Sequence, residues 1–274
     1  MLQISEINIY PIKSLGGISL SEVVVEEKGL RYDRRWMLVD ENGVFLTQRE
    51  FSRMAILKVS LEDAGLKVTA ADNKSIEIPF QPTSDEKLKV TVWSSKCQAV
   101  SYDENINNWF SDVLRTSCRL VIMPEETRRV VSPNYAVRKF QDVVSFADGY
   151  PVLLIGEGSL NDLNTRLFDS VPMNRFRPNL VVKDSDAFAE DDWKKIRVGE
   201  VVFHLVKPCA RCVMTTIDQA TGISDGKEPL KTLSTYRLVK KNGEAKVNFG
   251  QNLIAEAAGG RVRVGDEIEV LETK

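Results

Sequence analysis

Two of the four cysteines in this 274-residue chain lie three positions apart in one short segment. Cys209 and Cys212 follow a valine-rich stretch, where a predicted strand gives way to a turn. A thiolate is the softest ligand and the best nucleophile among protein side chains, and a neighbouring cation such as Arg211 favours the ionised sulfur. The segment therefore indicates a redox dithiol, half of a zinc site, or one metal-binding cysteine beside an idle neighbour.

The other potential ligands weigh against zinc. A structural zinc site uses four Cys or His ligands, usually as two close pairs. Cys97 and Cys118 are far apart in the sequence, and His204 is the only histidine. We expect His204 to be a structural or surface residue, because it lies alone in a strand pattern with no visible partner.

The residues around the cysteine pair weigh against a thioredoxin-like dithiol. Such a dithiol normally opens a helix after a strand, whereas residues 213–217 are β-branched and predict a strand. A further interpretation is that both cysteines are small core residues, as buried free cysteines often are. Arg211 between them and Lys207 before them fit a dry core poorly, so the segment favours a pocket wall.

Length and charge limit the classes of function. A chain of 274 residues has ample length for a core, and we expect one large or two closely associated domains. The formal net charge of −2 argues against nucleic acid or an anionic membrane as a bulk partner. Residues 1–6 lack the features of a signal peptide, and no apolar run approaches membrane-spanning length. Four cysteines are too few for a disulfide scaffold, so a reducing cytoplasm is the simplest compartment.

Strand patterns outnumber helix patterns, which predicts a mainly β protein with several helices, a β-rich α+β fold. A hairpin is expected over residues 35–46, and residues 261–270 alternate around a Gly-Asp turn as a barrel-closing strand pair would. Further strands are expected at 56–61, 66–70, 75–78 and 88–93. Helices are expected at 104–114, from Ser159 as the N-terminal cap, and at 229–239.

The polar stretch 124–129 is the candidate linker, because it follows the apolar stretch 118–123. This predicts one domain over residues 1–123 and a second over residues 124–274. The alternative is a surface loop inside a single domain.

Several motifs, taken in their order along the chain, resemble one family. Residues 211–218, Arg-Cys-Val-Met-Thr-Thr-Ile-Asp, resemble the signature of MOSC domains of the amidoxime-reducing type, which bind molybdenum cofactor. The other matching motifs are Tyr-Pro-Ile-Lys-Ser at 10–14, Gly-Leu-Arg-Tyr-Asp-Arg-Arg-Trp at 29–36, Asn-Arg-Phe-Arg-Pro-Asn at 174–179 and Phe-Gly-Gln-Asn at 249–252. Each motif alone is a weak pattern, but in this order they are specific.

The resemblance implies an N-terminal β domain followed by a MOSC β-barrel, with both halves lining one cleft. Cys212 would be the metal ligand, since soft sulfur suits molybdenum, and Cys209 a packed neighbour. The pterin of the cofactor carries a phosphate, which guanidinium groups bind in two-point geometry. The segregated basic residues of these motifs are Lys13, Arg34, Arg35, Arg177 and Arg211.

The resemblance also assigns roles to individual residues. Lys13, Ser14 and Arg34 would hold the phosphate end. Arg177 and Asn179 would contact the pterin or its linker, and Arg211 would also bind the cofactor. Asp218 would lie near the metal ligand, with Thr215 or Thr216, and joins Cys212 as a candidate catalytic residue. No proton donor is assigned.

Members of this kind reduce amidoximes, hydroxamic acids and N-hydroxylated nucleobases, so the resemblance implies a molybdenum-dependent oxidoreductase. The expected reaction converts N–OH to N–H with two electrons and two protons, and would detoxify N-hydroxylated bases. Some bacterial relatives continue into a plant-type ferredoxin domain, whose four-cysteine set these 274 residues lack.

The expected electron donor is therefore a separate flavin or iron–sulfur protein. The alternatives are a molybdenum cofactor or sulfur carrier without turnover, and a cofactor-free β scaffold that binds proteins. Pyridoxal phosphate binding is a further property associated with the fold.

Overall fold

The computed structural model describes residues 1–224, 226–241 and 243–274. The strands are β1 (Gln3–Ile9), β2 (Ile18–Leu20), β3 (Glu22–Glu26), β4 (Gly29–Leu30), β5 (Trp36–Val39), β6 (Lys58–Glu62), β7 (Gly65–Thr69), β8 (Ser75–Pro79), β9 (Lys87–Val92), β10 (Ser95–Ser101), β11 (Arg119–Ile122), β12 (Val152–Gly156), β13 (Leu180–Lys183), β14 (Trp193–Val198), β15 (Val201–Ala210), β16 (Leu238–Lys241), β17 (Glu244–Ala255), β18 (Arg261–Arg263) and β19 (Ile268–Thr273). The helices are α1 (Glu104–Leu114), α2 (Glu157–Thr165) and α3 (Leu230–Tyr236). Short 3₁₀ helices lie at Ser52–Ile56, Met173–Phe176, Ala189–Asp191 and Val213–Thr216.

This composition confirms the prediction of a mainly β protein with several helices. None of the helices in the described part of the chain is long and apolar enough to span a membrane.

The largest sheet carries nine strands and one face of the main core. Its order is β19-β14-β15-β17-β12-β13-β1-β2, with β16 paired to one end of β17. Ile4, Ile7 and Ile9 of β1 pack in one hydrophobic cluster with Leu154 and Phe203. The three-residue spacing of Ile4 and Ile7 reflects a β-bulge after Ile4, because the extra residue returns the next side chain to the same face.

Three smaller sheets complete the fold, in the orders β5-β11-β10-β9, β18-β3-β4 and β6-β7-β8. Helix α1 matches its predicted bounds and begins where Asp103 accepts a hydrogen bond from the Ile106 N–H at 3.1 Å. It buries Ile106, Phe110 and Leu114, which lie on one helical face.

The sheets exchange strands across the predicted domain boundary. Strands β1 and β2 belong to the nine-stranded sheet of the second half, and β18 from the second half pairs with β3. The candidate linker is packed into the structure, since Arg129 is 5 % exposed and donates to the carbonyls of Ser145 and Ala147 at 2.8 and 2.5 Å. The division into two domains stays a prediction.

One predicted strand pairing is wrong, and another forms only in part. The stretch 261–270 forms β18 and β19, which pair with β3 and β14 and not with each other. The backbone of the turn is engaged elsewhere, because the Gly265 and Ile268 N–H groups donate to the carbonyls of Ile4 and Leu2 at 2.8 and 2.9 Å. The predicted hairpin over residues 35–46 forms in part. Val39 and Phe45 make an antiparallel bridge, and the Leu46 N–H donates to the Leu38 carbonyl at 2.8 Å, while the other edge of β5 pairs with β11.

Two helix predictions need correction at their ends. Helix α2 begins at Glu157, and Ser159 does not cap it, because the Ser159 hydroxyl lies against the buried carboxylate of Glu190 at 2.8 and 2.9 Å. Helix α3 ends at Tyr236, since Leu238 already belongs to β16 and pairs there with Val247 of β17.

Candidate functional site

A cleft between the two halves of the chain brings together most of the residues singled out from the sequence. It contains about 840 Å³ of non-protein space, part of it open to solvent. Its lining includes Lys13, Ser14, Arg34, Arg177, Asn179, Arg211 and Cys212.

Lys13 is one of the buried cations that line the cavity. Its side chain is 7 % exposed, and Nζ donates to Asp148 Oδ1 at 2.5 Å. Burial lowers the pKa of Lys13, and the carboxylate of Asp148 opposes that shift. Burial opposes ionisation of Asp148 as well, but Lys13 and Arg49 together hold the pKa of Asp148 well below its usual range. The Asp148 side chain is nevertheless 62 % exposed, so solvent weakens these effects.

Two guanidinium groups stack on one tyrosine ring. The guanidinium carbons of Arg34 and Arg177 lie 4.3 and 4.1 Å from the ring centroid of Tyr10. Arg34 also pairs with Asp33 at 2.7 Å and donates to Asn179 Oδ1 at 3.2 Å. Burial raises the pKa of Tyr10 to about 12, and burial lowers the pKa of Arg177 to about 10. The tyrosine therefore stays neutral beside two cations that line the cavity.

Three of the cavity residues have left-handed backbone conformations. The φ angles of Ser14, Arg34 and Arg177 are +69°, +49° and +53°. Such a conformation costs a non-glycine residue roughly 1–2 kcal/mol, so it persists where surrounding contacts fix it. Here the Arg34 N–H donates to the Tyr10 carbonyl at 2.9 Å, and the Ser14 carbonyl accepts from Gln48 Nε2 at 2.7 Å. Fixed turns thus aim these side chains at the cavity before any ligand binds.

The cysteine segment ends β15 and turns into a 3₁₀ helix. The strand predicted at 213–217 is wrong, because the Thr215 hydroxyl donates to the Cys212 carbonyl at 3.0 Å and the Thr216 hydroxyl to the Val213 carbonyl at 2.8 Å. These bonds close a tight turn and place Cys212 at its start, in the cavity wall.

Each sulfur of the pair contacts its own guanidinium. Arg211 donates from Nη1 to Cys209 Sγ at 2.9 Å and from Nη2 to the Phe176 carbonyl at 2.6 Å. Arg49 donates from Nη2 to Cys212 Sγ at 3.1 Å. Arg211 therefore lies in the cavity as predicted, but the sulfur beside it is that of Cys209.

The structure does not bring Asp218 into the cavity lining. Its Oδ2 accepts from Arg175 Nη2 at 3.0 Å, and its Oδ1 accepts from the N–H groups of Ala220 and Thr221, both at 2.9 Å. Because these bonds occupy both oxygens, Asp218 shapes the loop after Cys212 and does not point at the site.

Arg35 and His204 also lie outside the cavity lining. Arg35 pairs with Glu125 and with Glu26, and His204 Nε2 lies 3.3 Å from Glu256 Oε2. Neither side chain has the geometry to contact a ligand in the cavity.

Sequence reasoning missed Arg49, Asp148 and Arg175 among the lining residues. Asp148 and Arg49 belong to no motif with the cysteines, and Arg49 reaches Cys212 from 163 positions away. The one available signal was Arg175, which lies inside the 174–179 motif.

Buried donors without partners test whether the site fits the implied cofactor. Within the described part of the chain, Arg177 Nη2, Arg175 Nε and Arg211 Nε are buried and make no hydrogen bond. An unsatisfied buried donor costs roughly 1–3 kcal/mol, more when charged. A ligand rich in acceptor oxygens, such as a phosphate, would satisfy them, and Cys212 offers a soft ligand nearby. The residues present therefore fit a phosphate-bearing, metal-bearing cofactor.

The sequence also matches known families and proteins. Residues 1–117 match the family described as "MOSC N-terminal beta barrel domain", and residues 141–269 match "MOSC domain". Mitochondrial amidoxime-reducing component 1 of Mus musculus is 37 % identical over 98 % of this chain and 82 % of its own length. Mitochondrial amidoxime reducing component 2 of Rattus norvegicus is 35 % identical over 97 % and 82 %.

A third relative has a different name. The molybdenum cofactor sulfurase of Oryza sativa subsp. japonica is 33 % identical over 91 % of this chain but only 32 % of its own length. The near full-length matches decide the relationship: the chain belongs to the MOSC-domain family of the amidoxime-reducing-component type.

Proposed function

We propose that this chain is a molybdenum-cofactor-dependent reductase that converts N–OH to N–H. Its substrates would be N-hydroxylated bases, amidoximes and hydroxamic acids, and its two electrons would come from a separate flavin or iron–sulfur protein. The observation that carries the proposal is that the predicted cofactor residues converge on one cavity, with the sulfur of Cys212 in its wall. The names of the near full-length relatives supply the class of reaction.

The charges of the cavity suggest how the cofactor would lie. Lys13, Ser14 and Arg34 would hold its phosphate, and Arg177 and Asn179 its pterin or linker. Arg211, which has a buried Nε without a partner in the described residues, would offer a further donor. Cys212 would ligate molybdenum, which when bound supplies the two-electron reduction.

The chain's own residues would then orient the cofactor and select the substrate. Tyr10 and the left-handed turns fix the side chains of Arg34 and Arg177 before binding. The entropy cost of ordering these two side chains when the cofactor binds is therefore small. A flat and uncharged substrate is expected, as the resemblance to the family implies. No side chain is assigned as proton donor.

The similarity to a molybdenum cofactor sulfurase favours one alternative, a cofactor or sulfur carrier. A carrier would bind the same cofactor and pass it on without reducing a substrate. A measurement of substrate reduction distinguishes the reductase from the carrier. The cytoplasmic compartment and pyridoxal phosphate binding stay predictions.

The first test measures how much molybdenum and pterin the purified protein contains. Protein from a host that makes the cofactor should contain about one molybdenum and one pterin per chain, as a one-thiolate site requires. It should also reduce an N-hydroxylated base when an artificial donor supplies electrons. Stoichiometric zinc without molybdenum in folded protein would refute the cofactor assignment, and molybdenum without turnover would favour the carrier.

Matched variants locate the phosphate end. Arg34→Ala should lower pterin content, because it removes a charge-assisted hydrogen-bonding group worth on the order of 1.5–3 kcal/mol, and Lys13→Ala should do the same. Alanine keeps the Cβ atom, so the backbone strain at residue 34 is unchanged. Arg119→Ala is the control, since Arg119 is a half-exposed residue paired with Glu86. Normal pterin content in both cavity variants would place the phosphate elsewhere.

A further inference from the structure

One contact at the sulfur end of the cavity joins the two halves of the chain. The loop that precedes the 3₁₀ helix Ser52–Ile56 carries Arg49, whose Nη2 donates to Cys212 Sγ at 3.1 Å. The guanidinium beside Cys212 in sequence, that of Arg211, contacts Cys209 Sγ instead. The hydrogen bond to the proposed metal ligand therefore comes from the N-terminal half.

The backbone around Arg49 is tied to the cysteine segment. Gln48 is fully buried, and its amide donates to the Ser14 carbonyl at 2.7 Å. It also pairs with the amide of Gln219 through two hydrogen bonds of 3.1 and 3.2 Å. Because Gln219 follows Cys212 in the same loop region, this amide pair fixes the distance between the two segments.

An aromatic ring holds the guanidinium of Arg49. Its carbon lies 4.6 Å from the ring centroid of Trp93, and Phe45 packs against the same ring at 5.1 Å. Trp93 Nε1 donates at 3.1 Å to Asp148 Oδ1, which also accepts from Lys13. Trp93 is 47 % exposed and has a φ of +56°, an unfavourable conformation for a bulky residue. The ring thus occupies a strained turn that puts it beneath Arg49.

From these contacts we infer that Arg49 is the positioning residue of the Cys212 thiolate, and that Trp93 fixes its guanidinium. The inference rests on the proposed function, because it takes Cys212 as the metal ligand. A hydrogen bond to a ligand sulfur withdraws electron density from it and stabilises the reduced metal. Arg49 therefore raises the reduction potential of the site.

Redox titration of the molybdenum-loaded protein tests this role independently of turnover. Arg49→Met should lower the midpoint potential followed by the EPR signal of molybdenum, and a tenfold weaker stabilisation corresponds to about 59 mV for one electron. Arg49→Lys should restore part of the shift, and Trp93→Leu should move the potential in the same direction by less. Arg119→Met is the matched control and should leave the potential unchanged. A wild-type potential in loaded Arg49→Met overturns the inference.

Alkylation of the cofactor-free protein separates this inference from the proposed function. Peptide mapping after iodoacetamide treatment should show Cys212 reacting at a different rate in Arg49→Met than in the wild type, because the guanidinium that contacts its sulfur at 3.1 Å is gone, with Cys209 unaffected. Arg211→Met should change the rate at Cys209 and spare Cys212. An unchanged rate at Cys212 in Arg49→Met overturns the inference even in a chain that binds molybdenum. A changed rate in a chain that never takes up molybdenum refutes the metal role of Cys212 and the proposed function with it.

Discussion

Replacing Tyr10 by leucine should loosen the cofactor, whereas replacing it by phenylalanine should not. Tyr10 is 4 % exposed, and the guanidinium groups of Arg34 and Arg177 both lie against its ring. Leucine removes the aromatic face. Phenylalanine keeps that face and removes only the hydroxyl, which donates to the Pro178 carbonyl at 3.1 Å.

The contacts of the two arginines set the size of the effect. A desolvated cation–π contact is worth about 2 kcal/mol. Arg34 keeps its ion pair with Asp33, while Arg177 keeps a hydrogen bond to Gln219 Oε1 at 3.2 Å, so part of each placement survives. We expect Tyr10→Leu to weaken cofactor binding by about 2 kcal/mol, which is roughly 30-fold.

The phenylalanine variant should lose stability of the fold instead of affinity for the cofactor. Deleting the hydroxyl should lower the free energy of unfolding by about 1 kcal/mol while cofactor binding stays near wild type. The assay follows release of the pterin by its fluorescence after oxidation, with thermal unfolding of the cofactor-free protein measured in parallel. Equal release rates from the leucine and phenylalanine variants would refute the role given to the ring.

Three further perturbations address other parts of the structure. Cys212→Ala and Cys212→Ser should abolish reduction of an N-hydroxylated base by an artificial donor, because neither a methyl group nor a hydroxyl replaces a thiolate on this metal. Cys209→Ala should keep most of the activity. Equal loss of activity in the two alanine variants, with both still holding molybdenum, would indicate a dithiol instead. Gly250→Ala should lower the melting temperature by an amount equivalent to more than about 1 kcal/mol, since φ is +82° and the new Cβ would lie 2.8 Å from the Leu154 carbonyl oxygen; wild-type melting would contradict this. The pKa of Asp148 is depressed in the folded state, so its contribution to stability is complete above the ordinary value of 3.8 and is lost as the pH falls through the lower folded value. Asp148→Asn should therefore be less stable than wild type near neutral pH by a margin that shrinks in acid, and parallel circular dichroism profiles would count against it.

Much of the cavity could be predicted because its residues occur in short motifs with recognisable order. Lys13, Arg34 and Arg177 each belong to a different motif, and all three reach one space. Helix α1 could be predicted to the residue, because its apolar residues recur with helical spacing.

What could not be predicted depends on contacts between distant segments. Arg49 and Asp148 acquire their roles from the packing of the two halves, and no local pattern marks them. The turn at Val213–Thr216 was not predicted for a different reason. Two threonine hydroxyls donate to nearby carbonyls, and these hydrogen bonds overcome the strand preference of β-branched residues. The resemblance placed Asp218 near the metal ligand, but the turn that it stabilises carries its carboxylate away from the cavity.

The exchange of strands between the two halves limits how this architecture can be cut or recombined. A fragment that begins at residue 124 would lack β1 and β2 and would leave Leu180–Lys183, a largely buried apolar strand, with an open edge. Open apolar edges pair with other chains, so such a fragment should self-associate. The complementary fragment would lack β18, the partner of β3. The smallest unit that can be transplanted with its cavity intact is therefore the pair of halves together, and neither half is a module that a fusion or a gene rearrangement could borrow alone.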